Sequence, residues 1–344
     1  MAVSIVPTSW QAERVRVWRL GIAALLSALA TACVVATLGG PTAIERLASI
    51  GASAPASSAA DAPTVVPSPD LLPPLPTLRL LSSDAAGSSI ERASFTSSSL
   101  AGEGSFFVYL PPGYASTTRR YPVLYLLHGR NGHASAFLEI GIQESLDRLI
   151  TDGAIPPMIA VMIQDRSGLN NWRDIGRRHS ETYVVEVQEL VDRMLGTIPT
   201  RAARAIAGSS MGGFGAMNVA LANPLRFAVV ESWLGYFNNL EGALRADQPV
   251  ISRLGLHAFL YGAAADPVAA PAQDPAFAAE LRAAGAQAES AIYPGGHSLE
   301  KVREHLHTGL LFAGRSLRAA QRRAAVEEAQ RLTGQGSERG QTTR

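Results

Sequence analysis

The sequence predicts an α/β fold in which a mostly parallel central sheet carries helices on both faces. Two continuous apolar runs, residues 122–127 and 158–163, are typical of strands buried on both sides. Segments with helical spacing of apolar residues, such as 182–195, alternate with runs of this kind. The 344 residues are 47% hydrophobic and hold one cysteine, which is enough for one large domain without disulfide or metal staples.

The alternation can be followed in order along the chain. Strands are predicted at 90–101, 105–110, 122–127, 158–163, 203–207, 227–232, 257–261 and 288–293. Helices are predicted at 134–150, 182–195, 211–222, 275–284 and 299–311. The connection between the strands that begin at Phe227 and His257 is about two dozen residues long, so we expect no large lid domain.

The N-terminal region precedes this domain. Residues 20–38 are uncharged and apolar and follow Arg14, Arg16 and Arg19, a pattern that fits either a membrane anchor or a cleaved signal segment. Cys33 leaves a lipidated cysteine as a third reading. We therefore expect residues 1–19 to be cytoplasmic and the catalytic domain to lie outside the cytoplasm, anchored to the cell membrane or secreted.

Two further segments flank the predicted domain, which we place at 88–314. Residues 39–87 are rich in Ala, Ser and Pro and are predicted to form a linker, because they offer little apolar surface to bury. Residues 315–344 carry alternating Arg and Glu and then Gly, Gln, Ser and Thr, which predicts a charged helix and a disordered tail.

The strongest motif is the sequence Gly-Ser-Ser-Met-Gly at 208–212, in which Ser210 is the central residue of Gly-x-Ser-x-Gly. This pattern forms a sharp turn that lifts a serine hydroxyl above the end of a strand. The serine backbone is strained there, so side chains two residues before and after it would collide, and glycine removes them. A predicted strand precedes the motif and a predicted helix follows it, so we expect Ser210 to be a nucleophile.

A serine hydroxyl needs a base, and the base needs an orienting acid. His297 lies in a glycine-rich loop between a predicted strand and a helix, where its ring would be presented, whereas His305 and His307 lie within the last helix. For the acid, Asp266 follows the strand at 257–261. Asp274 remains the alternative, although it reads as a helix N-cap followed by proline.

Developing negative charge on the attacked carbonyl oxygen requires backbone N–H donors. The residue after the nucleophile, Met211, supplies one at the positive end of its helix. The second is expected from Arg130, in the Leu-His-Gly-Arg loop that follows an earlier strand. His128 in that loop is interpreted as a support rather than as a base.

Together these blocks resemble a known family. The segments YLPPGY (109–114), RYPVLYLLHG (120–129), RAIAGSSMGGFGAMNVAL (204–221), NPLRF (223–227) and PGGHS (294–298) are similar to the esterase D-like family of α/β-hydrolases. That family includes S-formylglutathione hydrolases, feruloyl-type esterases, enterochelin esterases and mycolyltransferases of the antigen 85 type. The resemblance spans about residues 90–312.

The resemblance implies an α/β-hydrolase fold with Ser210, Asp266 and His297 as triad and the backbones of Arg130 and Met211 as oxyanion donors. It also makes Trp172 a candidate substrate contact, with packing as the alternative. The spacing to Asp266 is one residue longer than the family pattern.

The sequence therefore predicts a serine carboxylic esterase that acts on small-molecule or polymer-linked esters. Acyl transfer to a sugar or cell-wall alcohol is the alternative, and a catalytically silent binding module is a third reading. The formal net charge of +1 gives no indication of a nucleic-acid partner. No cofactor and no metal are expected, and the membrane is expected as a partner through the N-terminal segment alone.

Overall fold

The computed structural model describes residues 75–165 and 170–341. Its strands are β1 (Arg79–Ser83), β2 (Ser89–Ser97), β3 (Gly102–Leu110), β4 (Val123–Leu127), β5 (Ile159–Gln164), β6 (Asp174–Ile175), β7 (Arg178–His179), β8 (Arg204–Ser209), β9 (Val229–Trp233), β10 (His257–Ala263) and β11 (Gln287–Tyr293). Its α-helices are α1 (Ala136–Glu139), α2 (Ile142–Thr151), α3 (Ser180–Met194), α4 (Met211–Ala222), α5 (Glu241–Leu254), α6 (Gln273–Ala283) and α7 (Leu299–Gln341).

Nine of these strands form one sheet in the order β1-β2-β3-β5-β4-β8-β9-β10-β11. The first three strands are antiparallel to their neighbours, and the six from β5 to β11 run parallel. Strands β6 and β7 pair separately as a short antiparallel hairpin. The fold is that of an α/β-hydrolase, as the sequence predicts.

The continuous apolar run of β4 follows from its burial on both faces. Successive residues alternate between two core layers: Tyr125 and Leu127 belong to one, and Leu124 and Leu126 to the other. All five residues of the strand are buried. Because both faces are covered by helices, a strand in this position has no solvent side on which a polar residue would be placed.

The six parallel strands bring their carboxyl ends to one edge of the sheet. The loops after β4, β8, β10 and β11 therefore meet there, which is where such folds place their ligand sites. Between β9 and β10 the described chain holds the single helix α5, so the connection contains no lid domain, as expected from its length.

Two predicted boundaries differ in the structure. The linker placed at 39–87 contains strand β1, which pairs with β2 through Arg79 and Arg92. A bulge next to Leu80 interrupts this pairing, and every residue of β1 is exposed. An edge strand that is exposed on both faces has no alternating apolar pattern, so the composition of this segment predicts a linker instead.

At the other end, the expected helix at 299–311 and the separate charged helix from 315 are one helix, α7. Its apolar stripe continues past residue 315 through Leu317 and Ala320, which are buried against the same core layer. Close packing explains the first two glycines of this helix: a Cβ on Gly309 would come within 2.9 Å of the Trp233 ring, and one on Gly314 would overlap Ile155. The helix extends to Gln341, over most of the segment that was expected to be disordered.

The predicted membrane or signal segment at 20–38, the residues before it and most of the linker lie outside the described residues. Among the residues that are described, no helix is both long enough and apolar enough to cross a membrane.

Candidate active site

Ser210 lies on the turn between β8 and α4. Its backbone has φ 55° and ψ −118°, a strained conformation for a residue with a side chain. Its N–H donates to the carbonyl oxygen of Trp233 at 2.8 Å, which ties the turn to the neighbouring strand β9. The structure therefore has the sharp strand-to-helix turn that the motif predicts.

Close backbone contacts explain the two glycines around this serine. A Cβ on Gly208 would overlap the carbonyl of Gly212, and a Cβ on Gly212 would overlap the carbonyl of Leu127 at the end of β4. Both positions therefore exclude every residue except glycine without a backbone shift, as the sequence argument requires.

His297 reaches Ser210 from the loop between β11 and α7. Its Nε2 lies 2.7 Å from Ser210 Oγ, and its side chain is 17% exposed. The loop is anchored to the neighbouring one, because the N–H of Ala265 donates to the carbonyl of Gly295 at 2.8 Å. The ring is thus presented to the serine by a loop held in place at the strand end.

Asp266 lies on that neighbouring loop, after β10. Its Oδ2 accepts a 2.7 Å hydrogen bond from His297 Nδ1, and its Oδ1 accepts the N–H groups of Val268 at 2.8 Å and Ala269 at 3.0 Å. Burial raises the pKa of this carboxyl, but the hydrogen bonds from Ala269, His297 and Val268 outweigh it, so the pKa lies below its usual range. Asp266 is therefore a carboxylate that accepts a hydrogen bond from the Nδ1–H of His297, a tautomer that leaves Nε2 free to accept the serine proton.

The structure separates the two acid candidates. Asp274 is buried in the first turn of α6, whose N-cap is Ala272, so Asp274 is not the N-cap that the sequence suggested. Its Oδ1 has no hydrogen-bond partner among the described residues. Burial, together with the negative charge of Asp266, raises the pKa of Asp274 to about 7. It is thus a neighbour of the Ser210–His297–Asp266 chain and not a member of it.

The two predicted oxyanion donors both line the cavity at Ser210. Met211 is the first residue of α4, where the N–H groups have no acceptor within the helix and the helix dipole is positive. Arg130 follows Gly129 in the loop after β4. Across residues 75–165 and 170–341, neither backbone N–H donates to another group. Both remain available for a ligand oxygen.

The expected substrate contact at Trp172 is corrected by the structure. Its side chain is fully buried and does not line the cavity. The indole N–H donates to the His128 carbonyl at 3.1 Å, and a Cβ on Gly215 of α4 would lie 2.5 Å from the Trp172 Cβ. Trp172 therefore packs the loop after β4 against the helix of the nucleophile, which is the alternative the sequence left open.

His128 also supports that loop. Its Nδ1 lies 2.9 Å from the carbonyl of Gly129, and its Nε2 lies 3.0 Å from the carbonyl of Asp165. Burial lowers the pKa of the ring. With both nitrogens close to backbone groups, His128 has the supporting position that the sequence predicts.

A cavity of about 670 Å³ opens beside Ser210. Sequence reasoning missed most of its wall, because the lining residues come from separate loops and share no motif. One weak signal was available at Asn171, next to Trp172, in a short polar stretch after β5. The lining residues that the sequence analysis did not single out include Phe137, Asn171, Tyr236, Asn238, Gln273, Leu299 and Val302.

The other late histidines lie away from Ser210. His305 stacks on Tyr293 with ring centroids 3.5 Å apart, and His257 lies at the first residue of β10, at the opposite end of the strand from Asp266. Within the described ranges, no group of three or more His, Cys, Asp or Glu side chains is arranged to hold a metal ion.

Comparison with known proteins places this chain among esterases. The family model described as Putative esterase matches residues 97–313. An endo-1,4-beta-xylanase/feruloyl esterase from Xylanibacter ruminicola is 32% identical over 162 residues, which are 44% of this chain and 21% of that protein. An esterase from Mycobacterium tuberculosis is 33% identical over 137 residues, 37% of this chain and 28% of that protein. The chain thus spans well under a third of the length of these curated relatives.

Solved structures show the same fold. A ferulic acid esterase matches with a TM-score of 0.61 at 23% identity, over 67% of this chain and 98% of that one. An S-formylglutathione hydrolase from Agrobacterium tumefaciens matches with a TM-score of 0.56 at 18% identity, over 70% of this chain and 99% of that one.

Proposed function

The chain belongs to the putative esterase family, and from this premise we propose that it hydrolyses carboxylic esters through a covalent acyl-enzyme on Ser210. The observation that carries the proposal is the hydrogen-bonded chain from Ser210 Oγ to His297 to Asp266, with both contacts at 2.7 Å. A serine on a strained turn, joined to a histidine whose other nitrogen faces a carboxylate, is the arrangement that activates a hydroxyl at neutral pH.

Each of the three side chains has a defined part in this proposal. Ser210 Oγ attacks the ester carbonyl while His297 Nε2 takes its proton, and the same nitrogen then protonates the departing alcohol. Asp266 holds the ring in the required tautomer and stabilises the imidazolium. Water then attacks the acyl-enzyme, again with His297 as base, and releases the acid.

The backbone N–H groups of Arg130 and Met211 are proposed to bind the carbonyl oxygen as it becomes negative. Both residues line the cavity beside Ser210, neither N–H donates to an acceptor among the described residues, and the N-terminus of α4 adds its positive dipole end. These donors are fixed by the turn and by the loop that Trp172 packs, so they need no rearrangement during the reaction.

Initial rates with 4-nitrophenyl acetate and methyl ferulate test the proposal, the second ester because one relative is named a feruloyl esterase. Ser210→Ala should lose at least ~10³-fold in kcat while keeping its circular dichroism spectrum. Ser298→Ala is the matched control, because the Ser298 hydroxyl belongs to a second serine that lines the cavity but accepts the Lys301 N–H and makes no hydrogen bond to the His297 ring. Undiminished turnover by Ser210→Ala would overturn the assignment.

We also propose that the domain works outside the cytoplasm, tethered by residues 20–38 or secreted after their removal. This proposal is supported by the apolar run and the preceding arginines alone. Fractionation of cells and mass determination of the mature N-terminus test it, and a full-length chain in the cytosolic fraction would contradict it.

A further inference from the structure

The cavity beside Ser210 has two chemically different parts. Phe137 and Val302 belong to the core layer on one face of the sheet and give the cavity an apolar portion together with Ala136 and Leu299. Tyr236 packs against the core layer on the other face, and the amide side chains of Asn171, Asn238 and Gln273 also line the cavity. A bound ester therefore meets hydrocarbon from one layer and polar groups from the other.

The charge of this wall is uneven as well. Among the lining residues within 75–165 and 170–341, Arg130 is the single side chain with a permanent charge, and none is a carboxylate. The other basic groups in the lining are His128 and His297; the first is buried with a lowered pKa, and the second faces Asp266. The substrate side of the cavity thus presents one uncompensated positive charge.

That charge has no acidic partner elsewhere in the described chain. Arg130 is exposed, and no ion pair to it is formed by residues 75–165 and 170–341. Its guanidinium lies near the Tyr236 phenol: burial raises the pKa of that phenol, and Arg130 opposes the rise. The backbone N–H of Arg130 is proposed to bind the ester carbonyl oxygen. The Arg130 side chain therefore branches from a residue that is itself next to the reacting bond.

The polar groups around Arg130 are fixed in position. The Tyr236 hydroxyl donates to Asn171 Oδ1 at 2.6 Å, and its ring stacks on Phe214 with centroids 5.2 Å apart. The Arg173 guanidinium, from the segment just before β6, lies 4.5 Å from the centroid of the Phe214 ring. The amide nitrogen of Asn171 has no acceptor among the described residues, so it can donate to a ligand beside the guanidinium.

We propose that this site selects esters that carry a carboxylate close to the scissile bond, with Arg130 as the residue that binds the carboxylate and Asn171 and Tyr236 as its neighbours. The inference rests on the proposed ester hydrolysis at Ser210. A guanidinium and a carboxylate form two parallel charge-assisted hydrogen bonds, which are stronger than bonds between neutral groups. The apolar portion at Phe137 then takes the hydrocarbon part of the same substrate.

Two substrate pairs test the proposal, each consisting of an anionic ester and a neutral one of similar size. On the alcohol side the pair is 4-acetoxybenzoate and 4-acetoxybenzamide; on the acyl side it is the 4-nitrophenyl monoester of adipic acid and 4-nitrophenyl hexanoate. The readout is the ratio of kcat/KM for the anionic to the neutral member. This ratio cancels any effect of a substitution on the oxyanion donor itself.

In Arg130→Gln the ratio should fall ~10-fold relative to the wild type for at least one pair, and added NaCl should lower the wild-type ratio but not that of the variant. Arg130→Lys should keep part of the preference for the anionic ester, because the positive charge remains but the two parallel hydrogen bonds of the guanidinium are lost. Arg245→Gln, which removes an exposed charge on α5, is the matched control and should leave the ratio unchanged.

Equal ratios in wild type and Arg130→Gln for both pairs would overturn the inference while leaving ester hydrolysis intact. If the wild type turned over none of the four esters and 4-nitrophenyl acetate as well, the proposed function itself would fail. The two failures are therefore distinguishable within one experiment.

Discussion

Two cavities lie at opposite ends of the parallel strands, and both are lined by arginine and histidine. The cavity at the carboxyl ends, about 670 Å³, contains Arg130 and His297. The one near the amino ends of β9 and β10, about 330 Å³, contains Arg201, His257 and Arg323. By residue type alone, either could be a binding site.

Their hydrogen bonds distinguish them. At the amino-end cavity the donors are engaged: Arg201 donates to the carbonyls of Pro224, Leu254 and Gly255, the last two at the C-terminal end of α5. Arg323 donates to the carbonyl of Arg253 and pairs with Glu327. These groups satisfy the open carbonyls of a helix end and complement its dipole.

At the carboxyl-end cavity the donors are free and the backbone is strained. The N–H groups of Arg130 and Met211 have no acceptor in the described chain, and Ser210 has a positive φ. Unused backbone donors and a strained backbone therefore indicate a reactive site better than the presence of charged residues does. Arginines whose donors are hydrogen-bonded within the protein, as at the amino-end cavity, indicate a role in the stability of the fold.

The largest contrast is expected between the two histidines. His297→Gln should lower kcat with 4-nitrophenyl acetate by ~10⁴-fold or more, because His297 is the one base among the described residues that is hydrogen-bonded to Ser210 Oγ. His257→Gln is the matched control at the amino end of β10 and should leave kcat unchanged. Stopped-flow and steady-state rates on both variants measure this, and equal losses would erase the distinction between the cavities.

The next contrast is between the two carboxyl groups near the site. Asp266→Asn should lower kcat by ~10²–10⁴-fold, because the amide favours the wrong tautomer of His297. Asp274→Asn should change kcat little, since Asp274 has no contact with the His297 ring. A larger loss in Asp274→Asn than in Asp266→Asn would show that the acid has been assigned to the wrong loop.

These two acids also show which site residues can be predicted from the sequence and which cannot. Ser210 and His297 could be predicted because each sits in a local motif whose glycines the backbone requires, and their order along the chain fixes them at one edge of the sheet. Asp266 and Asp274 both follow β10, and the sequence separates them only by their distance from the strand and by the N-cap pattern at Asp274. In the structure His297 is hydrogen-bonded to Asp266, whose other oxygen accepts the N–H groups of Val268 and Ala269, and no sequence pattern encodes these contacts.

The fold was predictable for a similar reason, and its misses have physical causes. Buried parallel strands leave continuous apolar runs, as in β4 and β5. Strand β1 is exposed throughout, so no periodicity marks it. No periodic pattern or motif predicts the burial of Trp172 either, because its contact with Gly215 joins segments that are far apart in sequence.

A smaller effect, on stability rather than rate, is expected at the amino-end cavity. Arg201→Met should lower the free energy of unfolding by about 2–3 kcal/mol, because the carbonyls of Pro224 and Leu254 lose a charged donor in a partly buried place. Urea denaturation measures this. Arg323→Met should cost less, since Arg323 is more exposed and holds a single carbonyl.

At a temperature at which both proteins are folded, kcat should be the same in Arg201→Met as in the wild type. A loss of kcat without a loss of stability would mean that the amino-end cavity takes part in the reaction, contrary to the distinction drawn from its hydrogen bonds.

A further effect on stability depends on pH. The pKa of Asp274 is raised from 3.8 to about 7, so the folded state binds this proton more tightly than the unfolded state does. The resulting stabilisation is fully present below pH 3.8 and is lost as the pH rises to 7. The side chain in Asp274→Asn stays neutral at every pH. The melting temperature of the wild type should therefore fall relative to that of Asp274→Asn between pH 4 and pH 7, and the difference should be constant above pH 7.

Melting curves by differential scanning fluorimetry at several pH values measure this difference. Asp152→Asn, at an exposed position after α2, is the control and should follow the wild type. Parallel curves for wild type and Asp274→Asn over the whole range would contradict the raised pKa.

The most direct test of the central claim is covalent trapping of the nucleophile. The folded protein is treated with a fluorophosphonate, its intact mass is measured, and the adduct is located by peptide sequencing. The account predicts one adduct per chain, on Ser210, forming far more slowly in His297→Gln and absent in Ser210→Ala. An adduct on Ser209 or Ser298, or none on a protein that still hydrolyses 4-nitrophenyl acetate, would contradict it.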